Sequence, residues 1–80
     1  MNRDIGHAEK AIVVNVSGGD QDFDLGFRAL FVGGEGDISV TMFGGGDITF
    51  TGVVAGTILP ISASQIKQTG TTATNMVALL

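Results

Sequence analysis

Apolar and polar side chains alternate along two neighbouring stretches of the chain, Asp37–Phe43 and Asp47–Val53. A period of two is typical of a strand with one buried face. The glycine run Gly44–Gly46 lies between them, and glycine readily adopts the positive φ that tight hairpin turns need. The pattern therefore predicts an antiparallel hairpin whose apolar side chains together face a core or an interface: Ile38, Val40, Met42, Ile48 and Phe50.

Short β-branched or alternating runs elsewhere predict further strands. Pro60 interrupts one of these runs, and because proline has no N–H for a strand ladder, it should lie at an edge or a bulge. The chain ends on the apolar run Met76–Leu80, which predicts that the last strand is held in a sheet or an interface. The further strands are predicted within Lys10–Ser17, Phe27–Gly33, Val53–Ser62, Ser64–Gly70 and Thr72–Leu80.

For two of these strands, the pattern also predicts how their two faces are covered or divided. Lys10–Ser17 alternates only partly, so it is predicted to be buried on both faces or covered on one by a neighbour. In Phe27–Gly33 the alternation separates Ala29 and Phe31 from the residues of the opposite face, Arg28, Leu30 and Val32.

The sequence as a whole predicts an all-β fold. No stretch keeps an apolar i, i+3, i+4 pattern for three turns without glycine, so no helix is predicted. Strands with turns about every 8–12 residues predict a small single-domain β-sandwich or barrel of six or seven short antiparallel strands. The domain is predicted to span residues 10–80, after a flexible, polar N-terminal arm, residues 1–9.

Composition adds an expectation of self-association. A chain of 80 residues buries only about 60% of its unfolded surface, and without cysteine it has neither a disulfide nor a thiolate metal site. Only 15% of its residues are charged, while 44% are hydrophobic. This balance predicts surface that contacts other protein, and hence a homo-oligomer. A monomer with a neutral surface rich in Thr, Ser and Gly is the alternative.

The net charge of −4 restricts the partners. It argues against a nucleic-acid backbone and against an anionic membrane surface, since both require a basic patch. The N-terminus lacks the apolar region of a signal peptide, and the longest apolar runs are too short to cross a bilayer. The positive residues are Arg3, Lys10, Arg28 and Lys67.

The glycine- and aspartate-rich segments raise the question of calcium. In the repeat motif G-G-x-G-x-D the aspartate is sixth, but from Gly33 the sixth residue is Ile38, and Asp37 comes one place early. The segment 18–26 begins like an EF-hand loop, yet Gly26 is one place late and Phe31 stands where a bidentate Glu is required. We therefore predict no metal site and a solvated loop carrying Asp20, Asp22 and Asp24.

Catalytic chemistry is equally unsupported. His7 is the sole histidine and lies in the polar arm, and there is neither a nucleophile elbow nor a phosphate-binding loop. Phe31 and Phe50 are interpreted as core residues, whereas Phe23 and Phe27 flank the acidic loop and suit either loop anchors or an interface. The sequence therefore predicts no enzyme, with no catalytic, cofactor-binding or metal-binding residues.

Three motifs give the chain a family resemblance over about residues 10–80. They are RALFVGGEGDISV at 28–40, ITFTGVVAGTILPI at 48–61 and TGTTATNMVALL at 69–80. Together they resemble the small spike base proteins of gene transfer agents and related tailed bacteriophages. The chain departs from that pattern at Phe31, where tyrosine is common, and in the composition of the loop SGGDQDFDLGF.

The resemblance implies a virion structural protein on the capsid surface, made in the host cytoplasm. It would be a head-spike base, or decoration (cement) protein, that attaches to the major capsid protein and seats a spike or fibre. The family's five-fold vertex implies a pentamer; composition alone would equally allow a trimer. The alternative hypothesis is a small carbohydrate- or calcium-binding β module, which would show ligand-dependent thermal stabilisation.

Overall fold

The computed structural model describes residues 10–80. The predicted arm, residues 1–9 with His7, lies outside the described residues. Between Lys10 and Leu80 the chain forms strands and no helix, so no helix there could cross a membrane. The strands are β1 (Ala11–Val13), β2 (Gln21–Asp22), β3 (Ala29–Gly34), β4 (Gly36–Met42), β5 (Asp47–Val53), β6 (Thr57–Leu59), β7 (Ala63–Ile66) and β8 (Thr74–Leu79).

The strands form two four-stranded antiparallel sheets. The first sheet has the order β1-β8-β3-β6, and the second has the order β2-β7-β4-β5. This arrangement confirms the predicted all-β fold, with eight strands where six or seven were expected. The additional strand is β2, which lies in the segment predicted as a loop and pairs with β7.

The C-terminal strand β8 lies between β1 and β3, inside the first sheet. The prediction that the apolar C-terminus is held in a sheet is therefore confirmed. Its Met76 and Ala78 side chains are buried in the core, so much of its apolar surface is covered within the chain itself. Pro60 directly follows β6, the edge strand of the first sheet. Because Pro60 lies outside the strand, its missing N–H removes no hydrogen bond from the strand ladder.

One core joins the inner faces of the two sheets. The predicted alternation in β3 is confirmed, because Leu30 and Val32 point inward and have no exposed surface. Gln21 links the sheets at one side: its side-chain carbonyl accepts a hydrogen bond from Asn15 N at 2.7 Å, and its amide donates to Val13 O at 3.4 Å. The fully covered residues of the core are Leu30, Val32, Ile38, Val40, Ala63, Ile66 and Ala78.

The predicted hairpin is formed by β4 and β5 around the glycine turn. Ile38 pairs with Phe50 and Val40 pairs with Ile48, so these side chains share the inner face as expected. Phe50 and Met42 pack partly buried against the core. Ile48 differs, since 46% of its surface is exposed. It lies near the turn end of β5, the edge strand of the second sheet.

Candidate functional site

The outer face of the second sheet is polar and carries an ion pair. Lys67 Nζ donates to Asp47 Oδ2 at 2.9 Å, and Thr41 Oγ1 donates to Asp47 Oδ1 at 2.8 Å. The hydrogen bond from Lys67 lowers the pKa of the Asp47 carboxyl most, followed by the hydrogen bond from Thr41 and the charge of Lys67. Thr49 Oγ1 donates to Ser39 Oγ at 3.3 Å, and Ser39 itself is buried.

The acidic loop is fastened to the strand beside it. Asp20 Oδ1 accepts a hydrogen bond from Gln68 N at 2.7 Å, and the Gln68 side chain donates to Ser17 O at 3.0 Å. Asp22 Oδ1 accepts a hydrogen bond from the Gln65 amide at 2.8 Å. Two of the three aspartates therefore have structural partners, and all three are exposed, as predicted for a solvated loop. In residues 10–80 no three acidic or histidine side chains are grouped as metal ligands.

The two phenylalanines that flank this loop are anchors. Phe23 and Phe27 are 5% and 3% exposed, and their rings meet edge to face with centroids 5.1 Å apart. Of the two roles that the sequence left open, the structure selects the loop anchor.

The outer face of the first sheet is apolar. Its strand register aligns one residue from each strand in a row across the sheet, since Val77 pairs with both Val13 and Phe31, and Phe31 pairs with Ile58. Val13 is 72% exposed and Ile58 is 57% exposed, while Val77 and Phe31 are partly exposed. Ala11, Leu79 and Ala29 form the next row. The interpretation of Phe31 as a core residue was wrong, because its neighbours Leu30 and Val32 occupy the inner face.

No protein-family model and no curated protein matches the chain. Among solved structures, a chain of the "Capsid of native GTA particle computed with C5 symmetry" is similar to it, with 32% sequence identity and a TM-score of 0.76. The alignment covers 91% of this chain and 83% of that chain. The protein belongs to the family of this GTA capsid chain. The gene transfer agent part of the predicted resemblance is thereby confirmed, and the spike-base assignment within it stays a prediction.

For this GTA-family protein, the sequence analysis did not identify the apolar outer face of the first sheet, although the apolar runs that form it are visible in the sequence. Strands that are covered on both faces read as nearly continuous apolar runs, and Ala29–Val32 and Met76–Leu80 are such runs. The partial alternation in Lys10–Ser17 had suggested cover on a second face, but nothing in the pattern showed that β1, β3, β6 and β8 would join in one sheet.

We expect Lys67→Met to raise the pKa of Asp47 toward its ordinary value, and Thr41→Val to raise it less. Because the folded pKa is lowered, the ionised carboxylate favours the fold above the unfolded pKa, and this contribution is lost as the pH falls through the folded pKa. Carboxyl ¹³C NMR titrations of the GTA-family protein and both variants would measure the change. An Asp47 titration that is the same in all three proteins would contradict it.

We also expect that a calcium chelator leaves the melting temperature unchanged. Asp20 and Asp22 already accept hydrogen bonds from Gln68 and Gln65, and the loop lacks the bidentate ligand of an EF-hand. Thermal unfolding with added calcium, and again with excess EDTA, would measure this. Asp24→Asn, which removes the remaining loop carboxylate, is the control. A fall of several degrees with EDTA that this variant abolishes would show a calcium site.

Proposed function

We propose that the protein is a virion structural protein of the capsid surface: a head-spike base, or decoration (cement) protein, that attaches to the shell and seats a spike or fibre. The observation that carries this proposal is the 32% identity to a GTA capsid chain over 91% of the sequence, with a TM-score of 0.76. The three sequence motifs support the narrower spike-base role, and they include residues of β3–β4, β5–β6 and β8.

The proposed partners are the major capsid protein, further copies of this chain and a spike or fibre protein. A ring of five copies is favoured over a trimer by the resemblance, and the similar chain belongs to a capsid computed with C5 symmetry. The protein would be made in the host cytoplasm and reside on the virion. It would have no catalytic role and bind neither nucleic acid nor membrane, as its charge of −4 suggests.

Two structural features support a scaffold role. The outer faces of the two sheets differ, one being apolar and the other polar with the Lys67–Asp47 pair. A protein that joins a shell to a projecting spike needs surfaces of different chemistry for different neighbours. Within residues 10–80, the depression beside the acidic loop is lined in part by two side chains that already bond each other, Asp22 and Gln65.

Add-back to particles tests this function. Particles produced without the gene for this protein would be incubated with purified protein, sedimented, and imaged by cryo-electron microscopy. We expect co-sedimentation and new density on the outer surface at the five-fold vertices. An unrelated β-sandwich of similar size serves as the control. Absence of both binding and density would refute the proposal, and stabilisation by calcium or a glycan without particle binding would favour the binding-module alternative.

A further inference from the structure

The outer face of the first sheet is uncharged as well as apolar. The strands that form it, β1, β3, β6 and β8, contain no Asp, Glu, Lys or Arg. Its central row joins Val13, Val77, Phe31 and Ile58 without a polar interruption. Contiguous apolar patches of this kind are uncommon on monomers and mark surfaces that contact other protein.

The acidic residues of the described chain are absent from the strands that form this face. They lie on strands of the second sheet or in the segments that connect strands. The acidic residues of the described chain are Asp20, Asp22, Asp24, Glu35, Asp37 and Asp47.

We propose that the outer face of the first sheet is the surface by which one copy of this chain binds the next copy. Copies with a net charge of −4 repel each other, and a face whose strands carry no charged residue brings no acidic group of its own to the contact. The cores of homomeric interfaces are also more apolar than other protein surface. A second copy is present from synthesis onward, whereas a face reserved for the shell would stay exposed until a particle formed. The inference rests on the homo-oligomer of the proposed function.

The size of the face suggests a ring. β3 and β8 have six residues each, and β1 and β6 have three each. At about 3.4 Å per residue and about 4.8 Å between strands, they cover roughly 300 Å². A standard interface buries about 800 Å² per partner, so a single contact of this kind would hold a pair only weakly. In a ring each copy makes two contacts, and the face of one copy meets a different surface of the next, since cyclic interfaces join unlike patches.

Two lysines on the face should weaken assembly. In the double variant Val13→Lys and Ile58→Lys, both side chains start from exposed positions, so the fold of the single copy should be retained. Burying two unpaired charges at the contact should raise the concentration for half-association by about tenfold or more. Thr51→Lys is the matched control, because Thr51 is exposed on a strand of the second sheet. Sedimentation velocity at micromolar concentration would give the masses, and circular dichroism the fold.

A labelling experiment tests the same face if the lysine variant does not fold. The chain has no cysteine, so Val13→Cys introduces one thiol on the face and Thr51→Cys one on the control surface. We expect the thiol at position 13 to react with a maleimide more slowly as the protein concentration rises. The thiol at position 51 should react at the same rate throughout.

Three results would overturn the inference: a wild-type protein that is monomeric at micromolar concentration, a folded lysine variant with the wild-type mass, or equal labelling of the two thiols at every concentration. A lysine variant that keeps the wild-type mass but no longer binds particles would identify the shell as the occupant of the face. Conversely, wild-type protein that assembles through this face but does not bind particles would refute the proposed function and leave the inference standing.

Discussion

Leu30→Ala is expected to lower the free energy of unfolding by about 2–5 kcal/mol. Leu30 lies in β3 between Ala78 of β8 and Leu59 of β6, and none of its surface is exposed. Its truncation removes apolar contacts and leaves a cavity that the paired strands on both sides prevent from closing. A domain of this length has a total stability of about 4–12 kcal/mol, so this one change should remove a large part of it.

Urea unfolding followed by circular dichroism would measure the loss. Leu25→Ala is the matched control, because the same atoms are removed from a side chain that is 89% exposed. Its effect should stay within about 0.5 kcal/mol. The comparison should be made at low protein concentration, since assembly raises apparent stability. Equal midpoints for the two variants would show that Leu30 is not at the centre of the core.

Gly36→Ala is expected to be the most damaging of the glycine substitutions at the turn into β4. Gly36 has a φ of +152°, which L side chains rarely adopt, and forcing a residue into such a conformation costs about 1–3 kcal/mol. A methyl group there would also lie 2.5 Å from Ala73 N and 2.8 Å from Ala73 Cα. Those are backbone atoms, which cannot rotate away, so the segment must shift.

That shift would break hydrogen bonds that hold the chain before β8 against β4. Asp37 O accepts from Thr72 N at 2.8 Å and from Ala73 N at 3.1 Å, and Asp37 N donates to Thr72 Oγ1 at 2.9 Å. The clash therefore adds to the conformational cost, and each kcal/mol lost should lower the melting temperature by about 4–8 °C.

Gly44→Ala is the control for this prediction. Gly44 lies in the hairpin turn without a positive φ, and a methyl group there would meet no atom within 4 Å. Its melting temperature should change little. Differential scanning calorimetry of both variants would measure the contrast, and a Gly36→Ala protein as stable as the control would show that the turn into β4 tolerates a side chain.

The hairpin shows what the local alternation of side chains can and cannot predict. Alternation around Gly44–Gly46 correctly predicted the pairing of β4 with β5 and the shared face of Ile38 and Val40. It did not predict that Ile48 would be 46% exposed, because alternation shows which side chains share a face but not how far the other sheet covers that face. In the same way, β2 was missed because a two-residue strand has no period of its own and exists only through its pairing with β7.

The candidate surfaces were less predictable than the fold. Sequence reasoning anticipated contact with other protein from the low charge content, but it did not locate the surface. It also left two roles open for Phe23 and Phe27. Only their low exposed fractions, 5% and 3%, identified them as loop anchors. The partners of Asp20 and Asp22 lie more than forty residues away along the chain, at Gln68 and Gln65, and no local motif links them.

By itself, the sequence determined the glycine turn, every strand-forming segment except β2 and which side chains of those strands share a face, because the period of two is a property of the extended backbone. It also determined the low charge and the three family motifs. Only the tertiary structure decided which of the two faces of β3 is covered. Leu30 became core and Phe31 surface because the second sheet packs on the face of the first sheet that carries Leu30, Val32 and Ala78, and such long-range packing leaves no trace in local periodicity.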